Sequence, residues 1–146
     1  MEPRYFNLES ANELIPFLTD RIQQMQKIKS QILQIVSDLE KKGMQLEELF
    51  KKADLSPEEK SRRQILENLG DEINSFMFEV QERGVLLKDI EKGLVDFYAK
   101  IAGQDALLCW KLGESEILFW HDLESGFPGR KTLFTKEILK SVTKLH

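Results

Sequence analysis

The sequence predicts an α+β fold, in which a long antiparallel helical hairpin is followed by a small antiparallel β-meander of three to four strands and a short C-terminal helix. Two observations predict this order. Apolar residues recur at steps of three and four through the first half of the chain, which is the period of helices packed on one side. After Gly84 the chain changes to short runs rich in Val, Ile, Phe, Tyr and Trp, separated by glycine-containing turns, a pattern typical of strands.

The length and composition limit the class of protein. A chain of 146 residues has the size of one domain, so we expect a single domain over 1–146, divided into the hairpin at 7–84, the sheet at 85–124, and a loop and helix at 125–146. The formal net charge of −4 argues against nucleic-acid binding, which needs a concentrated basic face. The chain has one cysteine and no apolar run of signal-peptide or membrane-span length, so we expect a cytoplasmic protein that does not contact membranes.

The first helix is predicted from residue 7 to about residue 42. Asn7 is a suitable N-cap, and Glu9 in the first turn suits the positive end of the helix dipole. Pro16 removes one backbone hydrogen bond and should bend the helix about one turn after its start. Gly43 is the expected end.

The second helix has the clearest local signal in the chain. Ser56, Pro57 and Glu59 form a capping box with proline at the first helical position, and Gly84 is the expected end. The sequence does not decide whether residues 44–55 are helix or loop. Two such helices should pack antiparallel with coiled-coil-like seams, and their uncovered apolar stripes predict a homo-oligomer.

The register of the sheet follows if the turns are four residues long. Such turns after Ile101 and after Leu112 place Ala106 and Ile117 opposite those two residues. A shift of one residue would exchange the faces of a strand.

In this register His121 lies on an otherwise apolar face, beside Ala99 and Leu108. Asp96 lies on the opposite face, across from Lys111. A buried imidazole needs a hydrogen-bond partner, so one interpretation of His121 is a structural core histidine. The predicted register therefore separates His121 from Asp96.

The alternative interpretation of His121 is chemical. His121, Asp96 and Glu124 are the candidate catalytic residues, and His121 with Glu124 in an H-x-x-E spacing is the candidate metal pair. The sequence leaves open whether a divalent metal binds, because it has no second internal histidine. Cys109, without an adjacent base in this register, is interpreted as an inert core residue.

The segment GFPGR, residues 126–130, also allows two interpretations. Gly126, Gly129 and Arg130 could bind an anion through backbone N–H groups and the guanidinium fork. Alternatively they form a turn in which the arginine pairs with a carboxylate. Tyr98 and Trp120, placed together on the outer face, are candidate interaction residues.

Four blocks of the chain resemble a known family: RYFNLESANELIP, GVLLKDIEKGLVDF, LCWKLGE and WHDLESGFPGR. In order and spacing they are similar to the uncharacterised prokaryotic family called domain of unknown function 2203. Members typically have proline where this chain has Tyr98. The resemblance assigns no activity, but it implies that the matching motif positions recur in the family. These positions are Asp89, Gly93, Asp96, Trp110, Gly113, Glu114, Trp120, His121, Gly126, Gly129 and Arg130.

Two functions are compatible with these observations. The leading expectation is a small non-enzymatic interaction module that associates with itself through its helices, because the sequence has no recognisable catalytic set. The alternative is a metal-assisted or acid–base enzyme acting on an anionic small molecule at the His121/Arg130 end of the sheet. The sequence identifies no cofactor and no protein partner.

Overall fold

The computed structural model describes residues 3–133, so most of the segment 125–146, in which a C-terminal helix is expected, lies outside the described residues. The chain divides into two compact units. One unit combines the segment up to Ile22 with the chain from Phe78 onward, and the other comprises Gln23–Met77. The α-helices are α1 Leu8–Asn12, α2 Ile15–Lys41, α3 Leu46–Lys51 and α4 Pro57–Glu82. The strands are β1 Leu86–Asp89, β2 Leu94–Ile101, β3 Gln104–Lys111, β4 Phe119–His121 and β5 Lys131–Thr132.

The first predicted helix is two helices. Asn7 caps α1 as expected, and Ser10 completes a capping box with it. However, α1 ends at Asn12, and α2 begins at Ile15. A proline clashes with the carbonyl four residues earlier and donates no hydrogen bond, and for Pro16 that carbonyl belongs to Asn12. Pro16 therefore interrupts the helix where we expected a bend.

The start of α4 confirms the predicted capping box. The Glu59 N–H donates to the Ser56 hydroxyl at 3.1 Å, and the Ser56 N–H donates to the Glu59 carboxylate at 2.8 Å. Residues 44–55, which the sequence left undecided, contain the short helix α3.

The unit Gln23–Met77 has its own apolar core. Its buried members come one from each of three helices: Leu39 from α2, Leu49 from α3 and Leu66 from α4. An exposed ion pair of 3.0 Å between Lys42 and Glu58 joins the end of α2 to the start of α4. These contacts support the predicted antiparallel hairpin. Partly buried residues packed on this core are Ile32, Ile35, Met44, Leu46 and Leu55.

The sheet is an antiparallel meander in the order β1-β2-β3-β4-β5. It has five strands, where we expected three to four. The additional strand β5 lies within the segment that the sequence assigned to a loop and helix, and β4 has only three residues. Strands of two or three residues are too short to show an alternation of apolar and polar residues, so contacts with neighbouring strands decide their pairing.

The β2–β3 turn differs from the prediction by its length. Only Ala102 and Gly103 lie between the paired residues Ile101 and Gln104. Both turn residues have positive φ, 53° and 79°, the combination that a two-residue type I′ turn requires. The predicted four-residue turn is therefore wrong by two residues, which changes the partners but keeps the faces of β2 and β3. Asp96 consequently pairs with Cys109 and not with Lys111.

The β3–β4 register differs by one residue, and this difference changes a face. His121 pairs with Leu107, whereas the sequence placed it beside Leu108. The connection is held by contacts that a hairpin rule cannot supply: Ile117 N–H donates to Asn12 Oδ1 at 2.8 Å, and the Trp110 indole donates to the Glu114 carbonyl at 2.9 Å. The predicted place of His121 on the apolar face is wrong.

The apolar face of the sheet carries the core of its unit. Phe97 of β2 is fully buried, and the ring of Phe6 packs edge-on against it with ring centres 5.1 Å apart. Trp110 and Leu108 of β3 are also fully buried. The opposite face carries Asp96, Cys109 and His121.

Candidate functional site

Asp96 and His121 form a buried pair on the polar face of the sheet. The His121 Nε2 atom lies 3.1 Å from Asp96 Oδ1, and the side chains are only 2% and 6% exposed for His121 and Asp96 respectively. Strand β3 separates the strands β2 and β4 that carry them, and both side chains reach across it. The structure therefore brings together two candidate residues that the predicted register placed on opposite faces.

The hydrogen bonds of His121 define its tautomer. Its Nδ1 lies 2.7 Å from the carbonyl oxygen of Asp122, which can only accept, so Nδ1 carries a hydrogen. Its Nε2 then faces an oxygen of Asp96, and two lone pairs cannot form a hydrogen bond. One proton must lie between them, either on His121 or on Asp96. The pair therefore holds one exchangeable proton in a buried position.

Cys109 completes the cluster. It is 1% exposed, and its Sγ, the His121 ring nitrogen and an Asp96 oxygen all lie within 4.8 Å of one another. Burial raises the pKa of the Cys109 thiol to about 12, and the negative charge of Asp96 acts in the same direction. The thiol is protonated near neutral pH, so it is not an activated nucleophile.

The cluster lies at a cavity of about 270 Å³. Apolar side chains form much of its wall, and two charged side chains, Lys88 and Glu124, also line it. Within residues 3–133, neither Lys88 nor the Glu124 carboxylate has an ion pair. A concave apolar site with a few polar groups is the usual form of a small-molecule site. The other lining residues are Leu94, Asp96, Leu107, Cys109, His121, Leu123, Gly126 and Phe127.

Glu124 does not join the cluster as the H-x-x-E spacing suggested. It lines the cavity, but the group of close metal-ligating atoms comprises Asp96, Cys109 and His121. Asp122 Oδ1 accepts hydrogen bonds from the backbone N–H groups of Ser125 and Glu124. These bonds, that of Ser125 most strongly, lower the pKa of the Asp122 carboxyl below its usual value. This turn directs the chain away from the strand immediately after His121.

Arg130 is held by other protein groups. Its guanidinium donates to the Glu114 carboxylate at 2.7 Å and to the Cys109 carbonyl at 3.3 Å, and it stacks on the rings of Phe119 and Phe127. These contacts confirm the interpretation of a turn whose arginine pairs with a carboxylate. Neither Arg130 nor Gly129 lines the cavity, whereas Gly126 does. Anion binding by these three residues as a set stays a prediction.

The two candidate interaction residues are separated. Trp120 pairs with Leu108 and Tyr98 pairs with Leu107, so the aromatic side chains project from opposite faces of the sheet. Tyr98 packs edge-on with Tyr5, and the Lys131 ammonium lies 4.9 Å from the centre of the Trp120 ring. The predicted placement of Tyr98 and Trp120 together on the outer face is therefore wrong.

Cys109 is the functional candidate that sequence reasoning missed. The alternation of β2 and β3 already placed it on the face of Asp96, and this was the available signal. Without His121 on that face, however, a lone cysteine beside one carboxylate indicates no chemistry.

Comparisons with known proteins identify a family but no activity. None of the helices in residues 3–133 is long and apolar enough to cross a membrane. No curated protein matches the chain, and no solved structure matches it. One family model, described as "Uncharacterized conserved protein (DUF2203)", matches residues 4–133. Because this match covers most of the chain, the protein belongs to the DUF2203 family, as the four sequence blocks indicated.

Proposed function

We infer that the protein is an enzyme that transfers a proton to or from a small anionic molecule bound in the cavity. The observation that carries this inference is the His121 ring, whose two nitrogens both face oxygen atoms. The two residues that share the exchangeable proton, Asp96 and His121, both line the cavity. General acid–base catalysis needs a group of this kind within hydrogen-bond reach of the reacting atom.

The cavity wall supports a substrate with an apolar body and a negative end. Leu94, Leu107 and Phe127 offer hydrocarbon surface. Lys88 offers a positive charge that no carboxylate within the described residues neutralises in an ion pair. Lys88 thus takes the role of anion contact that the sequence suggested for Arg130.

Hexanoate, which has both features, is a suitable probe. We expect it to shift NMR signals of residues lining the cavity, and we expect Lys88→Gln to weaken its binding about tenfold, because a charge-assisted hydrogen bond contributes ~1.5 kcal/mol. Lys92→Gln, outside the cavity wall, is the matched control and should bind normally. If hexanoate and its neutral amide both leave the cavity signals unchanged at millimolar concentration, the proposed site is contradicted.

The proton itself is observable in ¹⁵N spectra of the imidazole rings. The chain has two histidines, so His121→Gln assigns the signals. A hydrogen on Nδ1 is expected with and without hexanoate, while the Nε2 signal should change on binding. An Nδ1 without hydrogen would contradict the tautomer and the proton pair that depends on it.

Self-association through the helices is the second candidate function. It is supported by large apolar side chains exposed on the helices of the unit Gln23–Met77, with Leu33 54% and Ile65 45% exposed. Single exposed apolar residues are common on monomers, so this support is weaker. If the prediction holds, light scattering gives the mass of an oligomer, and Leu33→Glu with Ile65→Lys converts it to a monomer. A monomeric native protein at all accessible concentrations would dismiss the candidate.

A further inference from the structure

We propose that Asp96, Cys109 and His121 bind one divalent transition-metal ion of the zinc class, with an open coordination position directed to the cavity. The inference rests on the proposed cavity site and deepens it. Its basis is the convergence of three donor atoms of different chemistry, all within 4.8 Å of one another and all buried. Each comes from a different strand, so the meander holds the three donors on a rigid frame.

The hydrogen bond at Nδ1 prepares His121 for a metal. A ligating histidine usually donates its other ring N–H to a carbonyl or carboxylate, which orients the ring and directs the free lone pair to the metal. In this protein Nδ1 donates to the Asp122 carbonyl at 2.7 Å, so Nε2 is the free nitrogen. It is Nε2 that faces Asp96.

The charges balance when an ion replaces the protons. Binding of a divalent cation releases the proton shared by Asp96 and His121 and the proton of the Cys109 thiol. A carboxylate, a thiolate and a neutral imidazole then carry a total charge that cancels that of the ion. A neutral cluster avoids the cost of a buried unpaired charge, which is high at three buried residues.

The donor types and spacing select the metal. Thiolate and imidazole favour zinc and its neighbours, whereas magnesium and calcium prefer oxygen. With metal–ligand distances of about 2.0–2.3 Å, tetrahedral donors lie roughly 3.3–3.8 Å apart. The 3.1 Å between His121 and Asp96 is close to this range, and donors at the 4.8 Å limit would approach by roughly 1 Å. Side-chain rotation supplies such a shift.

Three protein ligands leave a fourth position for water, the arrangement of catalytic zinc sites. All three ligand residues line the cavity, so a water at the fourth position would border it, and the ion would lower the pKa of that water. In the metal-bound protein the transferable proton would be that of the bound water, because the ion displaces the proton shared by Asp96 and His121.

Cobalt(II) is a direct probe because it reports its ligands by absorption. Full-length protein, freed of metal with a chelator and then titrated with Co²⁺, should bind one equivalent and show a thiolate-to-metal charge-transfer band. Cys109 is the only cysteine of the chain, so Cys109→Ser must remove this band. Zn²⁺ should displace Co²⁺ and abolish the spectrum. The absence of a stoichiometric band in natively folded protein overturns the proposal.

Two further variants distinguish the loss of a metal ligand from the loss of the fold. Asp96→Asn retains the thiol and should weaken Zn²⁺ binding by more than about 100-fold, since even the loss of an outer-shell partner costs 10–100-fold. Asp105→Asn, an exposed carboxylate on the same strand as Cys109, should bind Zn²⁺ like the native protein. Equal Zn²⁺ affinity in all three proteins, with native circular dichroism, would contradict the assignment.

The hexanoate experiment separates the two proposals. Hexanoate binding without stoichiometric metal binding would overturn the metal site and leave the proton-transfer site standing. Metal binding with no effect of hexanoate on the cavity signals would overturn the proposed substrate class and leave the metal site standing.

Discussion

Replacement of Asp96 by alanine is expected to lower the free energy of unfolding by about 3 kcal/mol, because it removes one partner of a buried hydrogen-bonded pair and leaves the other unsatisfied. The His121 side chain is 2% exposed, and the substitution removes the carboxylate oxygen that faces its Nε2. The Asp122 carbonyl accepts the other ring N–H and does not replace the lost partner of Nε2. Urea denaturation monitored by circular dichroism measures the loss.

The double variant tests whether the pair is kept for function at the expense of stability. Asp96→Leu combined with His121→Phe replaces two polar groups by apolar ones of similar size, and such replacements are often neutral or stabilising. We expect the double variant to be at least as stable as the native protein while losing metal and hexanoate binding. Asp105→Ala is the matched control and should change stability little, because Asp105 is exposed. Additive losses from the two single changes would show that the residues do not interact.

Gly93→Ala is the second substitution with a large expected effect. Gly93 has a φ of +67°, and a Cβ added there would lie 2.4 Å from Cβ of Leu112, far inside the contact distance. The backbone strain of about 1–2 kcal/mol adds to overpacking of about 1–3 kcal/mol, so we expect a total loss of roughly 3 kcal/mol. The same denaturation experiment measures it.

Gly103→Ala separates the two contributions. Gly103 has a similar φ of +79°, but an added Cβ would meet no atom within 4 Å. It should therefore lose only the strain of about 1–2 kcal/mol. Equal losses in the two variants would mean that Leu112 moves aside without cost. The comparison also gives a physical reason for glycine at position 93, a motif position to which the family resemblance assigned no role.

The helices were predictable because their signals are local. The hydrogen bonds of the Asn7 and Ser56 caps join residues three positions apart, so the chain specifies them without reference to any distant partner. The sequence predicted that Pro16 disturbs the first helix, but it did not determine whether the helix bends or breaks. The outcome depends on which groups form hydrogen bonds with the backbone atoms that the proline leaves unpaired. The side-chain oxygen of Asn12, at that break, accepts the N–H of Ile117, which is distant in the sequence.

The candidate site was not predictable, because it depends on a single register. Alternation by itself determined that Asp96 and Cys109 share a face, since a shift of two residues between β2 and β3 preserves the faces. Across the next connection a shift of one residue transfers His121 to the other face.

Sequence alone thus determined the α+β class, the helix caps, the meander order and the family. Tertiary structure decided the number of strands, the short turn at Ala102 and Gly103, and the place of His121. The physical reason is that side chains alternate with a period of two, while the β3–β4 connection is held by Asn12, a residue 105 positions away from its partner Ile117. That one long-range hydrogen bond helps to set the register that converts a histidine expected in the core into the partner of Asp96 and Cys109.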